Sequence, residues 1–114
     1  MKYQFERNLK IINELMTYLH KLGAKDIDVQ LRKIDSSTAF HIWGKINNID
    51  SDELDNLTNI LNTHRQHEIE EYYWNLGGES EADVELALVG MMIDKAEITY
   101  SNNILSFEIF REEL

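Results

Sequence analysis

The chain has 114 residues, a net charge of -10 and neither cysteine nor proline. That length suits a single domain, residues 1–114, able to bury a real core, and the missing cysteines exclude disulfides and thiolate metal sites. No apolar run approaches the ~20 residues that span a bilayer, and "MKYQFERNLK" lacks the apolar region of a secretory signal, so a cytoplasmic location is expected.

Leu9, Ile12, Leu15, Met16, Leu19 and Leu22 recur at helical spacing and predict a helix over 6–22, stopped by Gly23. Residues 26–46 then change to a period of two. A hairpin turning at Ser36-Ser37 pairs Leu31 with Ile42, Ile27 with Ile46 and Val29 with Gly44, and sets Asp28 against Lys45. Asp50 and Glu53 have the spacing of a capping box, opening a helix that runs to Ile60 or Leu61 and breaks at Asn62-Thr63. Thr63 with Gln66 caps a second helix, which Gly77-Gly78 ends. A further helical segment starts at Ser80 or Glu81 and carries Val84, Ala87, Leu88 and Met91. Residues 94–111 form a second hairpin around Asn102-Asn103, because asparagine tolerates the positive φ of a type I′ turn. Its register gathers Ala96, Ile98, Tyr100, Leu105, Phe107 and Ile109 on one face. The expected fold is α+β: a two-layer sandwich in which two hairpins form a mainly antiparallel sheet with helices on one face. The other sheet face then carries His41, Trp43, Ile104 and Phe110. Two aromatics and an isoleucine there suit an interface, and sheet-to-sheet dimerisation would cover them. His41, beside Arg32 in this pairing, reads as structural or interfacial.

Charge is uneven. Residues 50–85 hold eleven acids against one base, Arg65, while the rest of the chain is neutral overall. Such a field repels nucleic acid and anionic membranes and suits a basic protein partner, although a charge run is most often a solvated face. Within it lies "LNTHRQHEIEEYYWNLGGES", residues 61–80. His64, His67, Glu68 and Glu71 have spacings that share a helix face, and "HEIEE" superficially resembles the His-Glu-x-x-His zinc helix. At ~100° per residue, Ile69, Tyr72, Tyr73 and Leu76 fall on one side for the core. His64, His67 and Glu71 fall opposite, flanked by Trp74. Outward ligands lack the enclosed shell of a zinc site, so a solvated face is the expectation and His64, His67 and Glu71 a minor metal candidate. Carboxylate pairs Glu68/Glu71 and Glu81/Glu85 lack the partner ladders of a helical Mg²⁺ enzyme. Trp74 is the better candidate, as a partner contact.

"ELMTYLHKLG", residues 14–23, places Glu14, Thr17 and Gly23 as in the N-box helix of anti-sigma-factor serine kinases. "LVGMMIDKAEITYSNNILSFEIFREEL" places Met92, Asp94, Ile98 and Arg111 as in their closing helix and hairpin. Over residues 10–47 and 84–114 the chain therefore resembles the GHKL (Bergerat) ATP-binding domain that these kinases share with histidine kinases. The departures define what the resemblance implies. The Mg²⁺-holding asparagine falls at Tyr18, and the adenine-reading aspartate falls near Gly44 or Lys45. No Asp-x-Gly-x-Gly follows, and acids follow Gly77-Gly78 where phosphate-binding glycines belong. The resemblance implies a degenerate relative that binds no ATP and needs no cofactor, and that acts as a dimeric regulatory or adaptor protein. Two other functions fit the residues: an acidic chaperone-like or nucleic-acid-mimicking binder, and a metal-dependent enzyme using His64, His67, Glu68 and Glu71.

Overall fold

A computed structural model of the chain describes residues 3–75 and 85–113. In order they form α1 (Gln4–Lys21), β1 (Ile27–Ile34), β2 (Ser37–Lys45), α2 (Ser51–Leu61), α3 (His67–Asn75), α4 (Leu86–Met92), β3 (Lys95–Ser101) and β4 (Ile104–Glu112). The strands make one antiparallel sheet in the order β1-β2-β4-β3, so the last strand of each hairpin pairs with the other at the centre. Burial alternates along both central strands: Phe40, Ile42, Leu105, Phe107 and Ile109 are buried on the helix side. The α+β sandwich with helices on one face is the observed architecture.

The second hairpin takes the expected register. Ala96 faces Ile109, Ile98 faces Phe107 and Tyr100 faces Leu105, around Asn102 and Asn103 at φ 53° and 63°. The first hairpin differs by two residues. Its turn is Asp35-Ser36, not Ser36-Ser37, with Asp35 at φ 53°. Leu31 therefore pairs with Phe40, Val29 with Ile42 and Ile27 with Gly44. Asp28 lies opposite Trp43 rather than Lys45, and His41 opposite Gln30 rather than Arg32. A shift of two keeps every side chain on its face, so the division into inner and outer residues survives.

The helices are held by a mixture of apolar and charged contacts. The α1 helix stops as expected, with Gly23 at φ 100°. Its buried face is Arg7, Asn8, Ile11, Glu14, Leu15 and Leu19, whereas Leu9 and Met16 stay 45% and 37% exposed. The α2 helix starts after Asp50, but no side-chain bond caps it. Glu53 instead accepts the Tyr18 hydroxyl at 2.6 Å, and burial together with this carboxylate pushes the Tyr18 phenol above its ordinary range. Asn62 ends α2. Thr63 bonds back to the Ile60 carbonyl rather than capping α3, where the Gln66 carbonyl accepts the first helical bond, from Glu70. The apolar helix α4 spans Leu86–Met92, with Glu85 outside it. It packs against α1, α2 and α3. Its Gly90 permits the closest approach, because a Cβ there would stand 2.3 Å from the Ile60 carbonyl oxygen. The expected helix end at Gly77-Gly78 and start at Ser80 or Glu81, and the placements of Leu76 and Val84, lie outside the described residues.

Candidate functional site

The chemistry-rich stretch folds differently from its helical wheel. Among the described side chains of α3 the fully buried one is Glu70, while Tyr73 and Trp74 pack partly against the core. Ile69 and Tyr72, expected inside, are 41% and 68% exposed. The reason is a set of arginines brought in from distant segments. Glu70 accepts from Arg7 at 2.8 Å, from Arg111 at 2.6 Å and from Arg65 at 3.3 Å. Arg7 also reaches Glu71 at 3.1 Å, and Arg65 reaches Asp94 at 2.8 Å and the Glu112 carbonyl at 2.7 Å. Burying a charge unpaired costs several kcal/mol, so the helix turns its glutamate, not its isoleucine, toward the protein. Burial pulls the Arg111 guanidinium down to about 10, and Arg65 and Arg7 pull the same way against Glu70. Arg111 remains charged at neutral pH.

The minor metal candidates His64, His67 and Glu71 are drawn different ways. Both histidines are exposed, and Glu71 is drawn inward to Arg7. Among the described residues no three histidine, aspartate or glutamate side chains gather where a metal ion would sit. Trp74 is half-buried, with the Arg7 guanidinium 5.3 Å above its ring. It clamps α3 to α1 through a cation–π contact and lies in the helical layer, away from the other candidates.

Those others come together. His41, Trp43, Ile104 and Phe110 all point from the central strands β2 and β4 to the face that carries no helix among the described residues. The His41 and Trp43 rings lie 4.2 Å apart, and His41 Nε2 is 2.8 Å from Ser106 Oγ. Phe110 is 37% exposed. A shallow groove of about 390 Å³ runs over Ala39, His41 and Phe110, edged by Arg32 and Lys95 and by Glu97 and Glu108. Glu97 and Glu108 stand directly opposite each other on β3 and β4, an arrangement that repels. The sequence points to the four face residues by alternation, and the register of the second hairpin sets Glu97 opposite Glu108, but His41–Ser106 depends on the pairing of β2 with β4 and is invisible without it.

No helix among the described residues is long and apolar enough to cross a membrane. No family model matches the chain, and no curated protein matches it.

Proposed function

We propose that the chain is a non-enzymatic regulatory or adaptor protein that binds another protein through its open sheet face. The observation that carries this reading is the sheet face that no described helix covers, with Trp43, His41, Ile104 and Phe110 on it and a groove edged by charge over His41 and Phe110. Aromatic residues in such settings supply large contact area at low entropic cost. The facing pair Glu97 and Glu108 favours a partner that brings a cationic side chain, which would relieve their repulsion. The partner is accordingly basic, in keeping with the acidic segment 50–85, and the protein is a cytoplasmic homodimer. The resemblance to the GHKL domain supports the same reading: order and pattern are kept while the phosphate- and adenine-reading residues are replaced, so the fold binds without ATP.

The test is capture of a partner from the source cell's lysate by the intact protein and by Trp43→Asp and Phe110→Asp. Both variants are expected to fold and lose the partner. Equal capture by the variants would sink the reading. Addition of ATP and Mg²⁺ is expected to leave the melting temperature unchanged. A second reading, the acidic segment as the contact surface in the manner of a chaperone or a nucleic-acid mimic, rests on its eleven acids. It predicts capture that survives Trp43→Asp and fails above ~0.5 M salt, where screening is nearly complete.

A further inference from the structure

A second surface stands apart from the open face. The β1 strand is an edge: it pairs with β2 alone. It has eight residues and pairs without a bulge, and it has no proline. Edges of this length are ordinarily blunted by such devices, because unpaired N–H and C=O groups template another strand. The inward charge on β1, Lys33, is drawn to Glu113 at 2.5 Å.

The helix above adds an apolar roof. The α1 helix lies over β1 and β2. It meets α3 and α4 through one flank, with Arg7 on Glu70 and Glu14 accepting from the Glu85 N–H. The other flank carries Phe5, Leu9, Ile12 and Met16 within about 60° of arc. Phe5 is 59% exposed and Leu9 45%, and below them Val29 on β1 is 38% exposed. A strand added beside β1 would slide beneath this stripe.

The sequence of β1 complements itself. Two antiparallel copies related by a two-fold axis pair i with j at an even sum, so inner residues meet inner residues. With the axis at Gln30, Asp28 of each copy faces Arg32 of the other, and Val29 faces Leu31. Asp28 and Arg32 are exposed, and among the described residues neither is in an ion pair within the chain. We infer that a second copy of this chain docks on β1, joining the two sheets edge to edge with Asp28–Arg32 pairs on either side of Gln30 and the two α1 stripes over the seam. The inference stands independently of the open face, which this arrangement leaves free on both copies.

The experiment is sedimentation or light scattering of the full chain and of Asp28→Arg, Arg32→Asp and the double exchange. Each single variant creates two like-charge contacts and is expected to weaken dimerisation on the order of tenfold or more. The double exchange restores the pairs and the dimer. A mixture of the two single variants forms a mixed dimer, since one then carries only arginines and the other only aspartates at these positions. Both positions are exposed, so circular dichroism is expected to match the wild type. A monomeric wild type overturns the inference. So does a dimer that ignores the single exchanges, or one that Trp43→Asp breaks instead.

Discussion

The contact between helices and sheet has two ends built from different chemistry. Around Gly44 and Leu105 it is apolar: Leu15 and Leu19 of α1 and Ile42 and Phe107 of the sheet are all fully buried. Around Thr38 and Arg111, which pair on β2 and β4, it is charged, with guanidinium groups converging on Glu70. Apolar contact is non-directional and tolerates shape-conserving change. The charged end is held by geometry, since each desolvated arginine depends on a carboxylate placed within hydrogen-bond reach. One end therefore gives burial, and the other fixes how α1, α3 and the C-terminal strand sit on one another.

Removing one partner separates the two ends most sharply. Glu70→Ala leaves Arg7, Arg65 and Arg111 around an empty centre and is expected to cost about 3–5 kcal/mol in urea unfolding. An unchanged midpoint would show that the arginines find compensation elsewhere. At the apolar end Leu15→Ala is expected to cost about 2–5 kcal/mol through lost burial and a cavity, with little dependence on salt. Gly90→Ala probes the close contact between α2 and α4. The added methyl meets the Ile60 carbonyl and the Thr63 hydroxyl, 2.8 Å away, and the first of these is backbone. A loss of about 1–3 kcal/mol follows if α2 and α4 are forced apart, read as a lower melting temperature.

The same division explains what was legible in the sequence. The second hairpin was readable because Leu105, Phe107 and Ile109 alternate strictly, and a single register buries them together with Ala96, Ile98 and Tyr100. The first hairpin kept its faces but not its register. Hydrophobic alternation is indifferent to a shift of two, and the choice fell to Asp35, whose short side chain tolerates the left-handed region. The orientation of α3 was not readable from hydrophobicity at all. Its inward residue is a glutamate whose partners Arg7 and Arg111 lie 63 and 41 positions away. The signal available was Arg65, the only base among eleven acids in residues 50–85. The open face was readable from alternation and its opposed glutamates from the register of the second hairpin, whereas its groove and the His41–Ser106 contact required the order β1-β2-β4-β3.

Acid tests the charged end more gently, through Glu113 at its margin. This carboxylate accepts from Asn8 at 3.0 Å, from Lys33 at 2.5 Å and from the Thr38 hydroxyl. Burial alone would raise its pKa, but Lys33 and Asn8 outweigh that and hold it below the ordinary carboxylate range, with Arg111 adding to the effect. A value lower in the folded than in the unfolded chain stabilises above about pH 4.3 and fades as pH falls through the folded value. Glu113→Gln is therefore expected to lose about 1 kcal/mol at pH 7, with the two unfolding curves converging in acid. A gap that persists there would assign the loss to packing.

The smallest effect on stability is expected where the sheet meets water. Trp43 follows Ile42 by one position, yet the two lie on opposite faces, Ile42 fully buried and Trp43 half-exposed. Trp43→Asp removes a ring that rests on His41 and leaves no cavity in the helix-side core, so a change within about 1 kcal/mol is expected. Phe110→Asp, at an already exposed position, should fall in the same range. Both are expected to keep the fold, and both place a carboxylate on the face proposed to meet a partner. A melting temperature that barely moves together with complete loss of partner binding is the result that separates this face from the helix side. A fall as large as that of Leu15→Ala would make Trp43 a structural residue and take the open face out of the binding argument.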